Sequence, residues 1–175
     1  MQFAMLPLMG IGQGAQPIIS YNYGARNQQR VKKAIKLLFI VDMIYATGLW
    51  ACVMLFPQAF AGLFTTDAAL LAFTKTSMRI YLAALFMFGI QMACQMTFTS
   101  LGNAKASIIV AVARKFVLLI PLIYIMPALM PHNQTTAVYL AEPIADFLAV
   151  SFTMVLFANQ FKKAMAEIAP AAQNG

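Results

Sequence analysis

Charge is what this 175-residue sequence has least of: Asp, Glu, Lys and Arg together make up 10% of it. A soluble domain carries about 25% charged residues, so this chain cannot cover a water-facing globule with polar surface. Acids are especially few, five in all, and His132 is the single histidine. No carboxylate–histidine or nucleophile constellation can be built from so few groups at one depth, so we expect neither an enzyme nor a metal site. Cys52 and Cys94 are the two cysteines, each inside an apolar run. They read as small buried residues rather than as a disulfide framework or a metal ligand set. There is no Walker A sequence, so the chain does not hydrolyse ATP. Met1 to Gly10 is apolar without a positive n-region, so no signal-peptide pattern is visible. Period-two alternation is also missing, which excludes a membrane β-barrel.

Apolar residues are plentiful. The hydrophobic fraction is 62%, with 14 Phe and 13 Met, and the mean hydropathy is +0.76. Disorder needs the opposite composition. The length suits one domain, and the class that remains is an integral membrane protein. In lipid the backbone must satisfy itself, which makes the spans helices. A span takes roughly 20 apolar residues. Five stretches qualify, at about 1–22, 37–56, 80–101, 107–130 and 137–158, each ended by a polar or turn-rich break. We therefore expect an all-α, polytopic transmembrane helix bundle over 1–158 and a tail over 159–175.

The net charge of +7 follows from how the basic residues are placed. Arg26, Arg30, Lys32, Lys33 and Lys36 lie between the first two spans. Lys105, Arg114 and Lys115 lie at the third connection, and Lys162 and Lys163 follow the last span. Only Lys75 and Arg79 are left for the opposite side. This asymmetry puts the basic side, and the tail with it, in the cytoplasm. No basic face is interleaved with aromatics, so nucleic acid is not an expected partner. The partner implied is the lipid bilayer. Five spans with a cytoplasmic C-terminus put Met1 outside, in the middle of an apolar pattern. The expectation is a C-terminal piece of a longer protein, or a truncated gene product.

Between the second and third spans, Leu63, Phe64, Leu70, Leu71 and Phe73 alternate with Thr65, Thr66, Asp67, Lys75 and Arg79. That pattern predicts a short amphipathic helix on the outer surface. In the tail, Phe161, Met165 and Ile168 beside Lys162, Lys163 and Glu167 predict one or two interfacial helical turns. Gly10-Ile11-Gly12-Gln13-Gly14-Ala15 formally fits a dinucleotide fingerprint but lacks the preceding strand and the later acid. Gly10 and Gly14 instead form a small-xxx-small pair for close helix packing. His132 reads as a solvated loop residue, and Asn133-Gln134-Thr135 matches a glycosylation pattern of low specificity.

Ionisable groups at membrane depth are costly and point to function. Asp146 lies near the middle of the last span, with Glu142 one turn before it. Asp42 lies about 9 Å below the cytoplasmic edge. Either acid can couple ion movement or lock the bundle through a cation on a neighbouring helix. Arg114 and Lys115 are expected to snorkel to the cytoplasmic interface. Gln91 and Gln95, with Met92 and Met96 beside them, suit either interhelical hydrogen bonding or a water-filled cavity with adaptable walls. Pro7, Pro17, Pro121 and Pro127 predict bends in the first and fourth spans.

The order of motifs resembles a known family. Gly14-Ala15-Gln16-Pro17-Ile18-Ile19-Ser20-Tyr21-Asn22-Tyr23-Gly24-Ala25, then Asn27 and Arg30-Val31-Lys32, is similar to the eighth-span signature of MATE multidrug exporters. The likeness continues through Gln91 to Gln95 and Ser100-Leu101-Gly102-Asn103-Ala104-Lys105-Ala106-Ser107. It runs on from Arg114 to Ile120-Pro121-Leu122 and ends at Glu142-Pro143-Ile144-Ala145-Asp146, with the MepA-like branch nearest in flavour. The resemblance implies spans eight to twelve of a twelve-span transporter, with the amino-terminal lobe and seventh span missing. It further implies export of drugs or other cationic or amphipathic compounds, driven by Na+ or H+ rather than by a cofactor, in a bacterial plasma (inner) membrane. Family coupling acids on the first, seventh and tenth spans have no counterpart here, since 80–101 contains no Asp or Glu. Asp42 and Asp146 are therefore candidates from the residues alone. Gln91, Gln95, Met92 and Met96 are the candidate cavity wall. A flippase for lipid-linked oligosaccharides from the same superfamily, or a non-transporting structural membrane fragment, is the alternative.

Overall fold

The computed structural model describes residues 2–62, 68–130 and 134–169, and every regular element within them is helical. His132 and Asn133, residues Leu63 to Asp67 of the outer connection, and the end from Pro170 lie outside the described residues. The helices are α1 (Gln2–Gly24), α2 (Gln28–Leu55), α3 (Pro57–Gly62), α4 (Ala68–Tyr81), α5 (Phe88–Ser100), α6 (Ala104–Val112), α7 (Ile120–Leu129) and α8 (Gln134–Glu167). A 3-10 turn, Leu85–Met87, precedes α5, and a π-helical stretch, Ala113–Leu119, joins α6 to α7. Gln28–Leu55, Phe73–Ser100, Ala104–Leu129 and Thr135–Glu167 are long and apolar enough to cross a membrane. The remaining expected span, α1, has 23 residues and a length of about 35 Å. It carries Gln13, Gln16, Ser20 and Asn22 in its second half.

Both cytoplasmic turns are built the same way. Arg26, at φ 52°, precedes Asn27, whose side chain accepts a hydrogen bond from the Arg30 backbone N–H at 3.1 Å. Gly102, at φ 76°, precedes Asn103, whose side chain accepts from Ala106 N–H at 3.2 Å. A left-handed residue reverses the chain, and the Asn then satisfies a free N–H at the helix start. Glycine adopts that conformation freely, whereas Arg26 does so at a cost. The Asn27 cap is why α2 starts at Gln28, well before the apolar stretch expected from 37.

The third expected span is not a continuous helix. Trp50 Nε1–H donates to the Ala83 carbonyl at 3.0 Å, taking the acceptor that Met87 N–H would use in an α-helix. Met87 N–H turns to Ala84 at 2.9 Å instead, which tightens the backbone into the 3-10 turn. Of the expected outer amphipathic helix, Leu70, Leu71, Phe73, Lys75 and Arg79 fall in α4, which leads into the third expected span, and the short α3 lies before it. α8 runs unbroken for 34 residues, about 51 Å. The expected boundary at 158 is therefore internal to a helix, and the tail is part of the bundle to Glu167.

The core is strung along the bundle in three clusters. At the cytoplasmic end Ile19, Val31, Ile35, Leu38 and Ala93 enclose Ala164, Met165 and Ile168 of the expected tail. Toward the outer end Leu8, Val53, Leu82, Leu85 and Phe88 pack together. A third cluster joins Cys94 and Phe98 to Ala106 and Val110. In the most apolar window of Ala104–Leu129 only 6% of residues are buried, against 56% in Phe73–Ser100. The α6–α7 span thus turns most of its surface away from this chain.

Candidate functional site

Asp146 and Glu142 stand one turn apart on α8 and both meet Arg114. The guanidinium lies 2.7 Å (Nη2) and 2.8 Å (Nε) from Asp146 Oδ1, and 3.6 Å from Glu142 Oε1. Its Cζ is 4.5 Å from the centre of the Phe88 ring, a favourable cation–π distance. Arg114 and Asp146 side chains are 13% and 3% exposed. Arg114 belongs to the π-helical stretch, where Ile120 N–H bonds Lys115 C=O, five residues back. Pro121 follows with no N–H to offer Val117, and the wider turn accommodates that missing bond. Arg114 therefore does not snorkel to the cytoplasm: two carboxylates and an aromatic face draw it into the bundle. Lys115 beside it is exposed. Asp146 thus has the neighbouring cation that a lock requires, while its second oxygen, Oδ2, is buried with no hydrogen-bond partner.

Asp42 differs. It is fully buried, at 0% exposure, and neither carboxylate oxygen has a hydrogen-bond partner. Counting from the observed start of α2, it lies about 21 Å along the helix, at the helix's middle, beyond the basic first turns that end at Lys36. α5 presses on the α2 backbone there, because Gly89 has no side chain: a Cβ would come within 2.7 Å of the Asp42 carbonyl oxygen. The two acids are not brought together, since Asp42 lies against α5 and Asp146 against the π-helical stretch.

Gly10 and Gly14 do not make the close approach expected of them. Both are exposed on α1, and a Cβ at either would meet nothing within 4 Å. Gly12, on the opposite face, is the buried one, and a Cβ there would run into the Met96 side chain. Met96 accordingly packs on the cytoplasmic cluster and Met92 on the outer cluster. Gln91 is buried and Gln95 half-buried. Of the four cavity candidates, Gln95 is the one neither packed on these clusters nor fully buried.

Sequence reasoning missed a ring of polar contacts at the cytoplasmic end. Ser20 Oγ donates to Ser100 C=O at 2.8 Å, and Tyr23 OH to Glu167 Oε2 at 2.9 Å. Gln28 Nε2 donates to Met165 C=O at 3.1 Å, and Asn103 Nδ2 to Gln160 Oε1 at 3.0 Å. Their partners are up to 144 residues apart, so no local pattern announces them.

Helices of membrane length, buried acids within them and basic turns define a polytopic membrane protein. The MatE family model matches residues 1–125, and the chain belongs to that family, which comprises transporters and not enzymes. Multidrug export protein MepA of Staphylococcus aureus (strain NCTC 8325) is 29% identical over 128 residues, covering 73% of this chain and 28% of that protein. MepA of Staphylococcus haemolyticus (strain JCSC1435) is 24% identical over 150 residues, covering 85% and 33%. A ligand-bound structure of the MATE multidrug transporter DinF-BH matches with a TM-score of 0.84 and 35% identity, over 94% of this chain and 36% of that one. The chain thus spans about a third of the length of these relatives.

Proposed function

We propose that this chain supplies most of the C-terminal lobe of a multidrug efflux transporter. The whole protein exports cationic or amphipathic compounds across a bacterial plasma membrane, in exchange for Na+ or H+. The relatives named as multidrug export proteins, and the likeness to the multidrug transporter DinF-BH, support the substrate class. Two helical lobes rock about a site near the midplane. Gln95 and the exposed Gly10, Gln13 and Gly14 face of α1 contribute to the wall completed by the other lobe.

The observation that carries the coupling is Asp42. A buried acid at the middle of a membrane helix, without a partner, is costly until something neutralises it. Asp146 already has Arg114 for that purpose. Asp42 has no such cation among the described residues, and we assign it the proton or cation that drives export.

The test uses the full-length transporter in proteoliposomes, with efflux of ethidium, a fluorescent organic cation, driven by a proton or a Na+ gradient. Asp42→Asn is expected to lower gradient-driven efflux by at least about tenfold while ethidium binding persists. Efflux by Asp42→Asn at the normal rate under both gradients overturns the assignment.

A further inference from the structure

We infer that the groove between α1 and α2 binds an anionic phospholipid of the cytoplasmic leaflet, its phosphate on Arg30 and Lys33 and one acyl chain along the apolar floor. The groove has a volume of about 470 Å³. Arg30 and Lys33 stand at its cytoplasmic mouth, and Ile11, Ile18, Leu37 and Val41 line its length. From Lys33 to Val41 it follows α2 for about 12 Å toward the membrane interior. Ile18 and Leu37 are 56% and 61% exposed, so the floor is open to lipid on this chain's own surface.

The charge at the mouth has no answer within the described residues. Asp42 is buried against α5, Glu142 and Asp146 are held by Arg114, and Glu167 accepts from Tyr23. Asp67, outside the described residues, belongs by sequence to the outer connection. The placement is also unfavourable for the protein alone. Arg30 sits in the first turn of α2, which has no acid, and cations there oppose the helix dipole. A phosphate offsets both, since Arg30 and Lys33 converge at that end and an anion there complements the helix dipole. Basic pockets between membrane helices on the cytoplasmic side suit lipid headgroups, and the apolar floor selects a lipid over a free anion.

Native mass spectrometry of the detergent-purified protein tests this with phosphatidylglycerol, phosphatidylcholine and inorganic phosphate as probes. Phosphatidylglycerol is expected to be retained over phosphatidylcholine, less so as salt rises. Arg30→Gln with Lys33→Gln is expected to weaken it at least about tenfold. Leu37→Trp, which fills the floor and keeps the charges, is expected to weaken it too, while Lys162→Gln with Lys163→Gln leaves it unchanged. Equal retention of phosphatidylcholine overturns the inference, as does salt-independent binding by the unsubstituted protein. Displacement by equimolar inorganic phosphate overturns it as well, because the acyl chain would then contribute nothing. An equal loss in the Lys162/Lys163 pair would reduce the effect to general surface charge and overturn the site.

Discussion

Arg114 balances two carboxylates with one guanidinium, so its removal strands more charge than it deletes. Breaking a buried pair on one side costs about 3–5 kcal/mol, whereas replacing both members by apolar residues is often neutral. Arg114→Ala is therefore expected to lower the unfolding midpoint in micelles steeply. Arg114→Met combined with Asp146→Leu is expected to recover most of that loss. At the cytoplasmic end, burial and the adjacent Glu167 carboxylate hold the Tyr23 phenol above the usual tyrosine range. Its neutral form is the one that donates to Glu167. The stabilisation is therefore complete below the ordinary tyrosine value of about 10 and is lost as pH rises through the higher folded value. A melting series against pH is expected to show a decline above about pH 10 that is smaller in Tyr23→Phe.

Among the helices, the contact between α2 and α5 depends on Gly89. A methyl group there meets backbone, which cannot swing aside. Gly89→Ala is expected to part the two helices and cost about 1–3 kcal/mol, read as a lower melting temperature, while Gly10→Ala and Gly14→Ala stay within about 0.5 kcal/mol. The spacing of small residues was visible in the sequence, but their neighbours were not. Gly12 lies two positions from each of the marked glycines and hence on the other face of α1. The same limit applies to the broken third span. Residues Leu82 to Met87 contain no proline or glycine, and the agent of the break, Trp50, is 33 residues upstream. The proline beside the π-helical stretch was legible. That the widened turn would deliver Arg114 to α8 was not, because that depends on where α8 lies.

For the molecule as a whole, hydropathy and the distribution of basic residues were enough to read an all-helical membrane protein, but not where each helix begins, breaks or ends. Both are properties of the chain against its solvent, and neither needs a partner in space. Arg114 is the informative exception: counted as cytoplasmic by position, it is drawn inward by Asp146 and Glu142. The order of motifs carried the family, which the match over residues 1–125 shows. Asp42 was legible as an acid inside a span. Its isolation emerges only when the neighbouring helices are in place.

α8 is fastened at two heights. Arg114 grips it at Asp146, and Tyr23 holds it at Glu167, about 32 Å further along. Pro143, its one internal proline, lies outside that interval. A rod held at two such points can neither slide along its axis nor roll about it without releasing one of them. The displacement left to it is the one shared with α1 and the π-helical stretch, so these elements form a single casting.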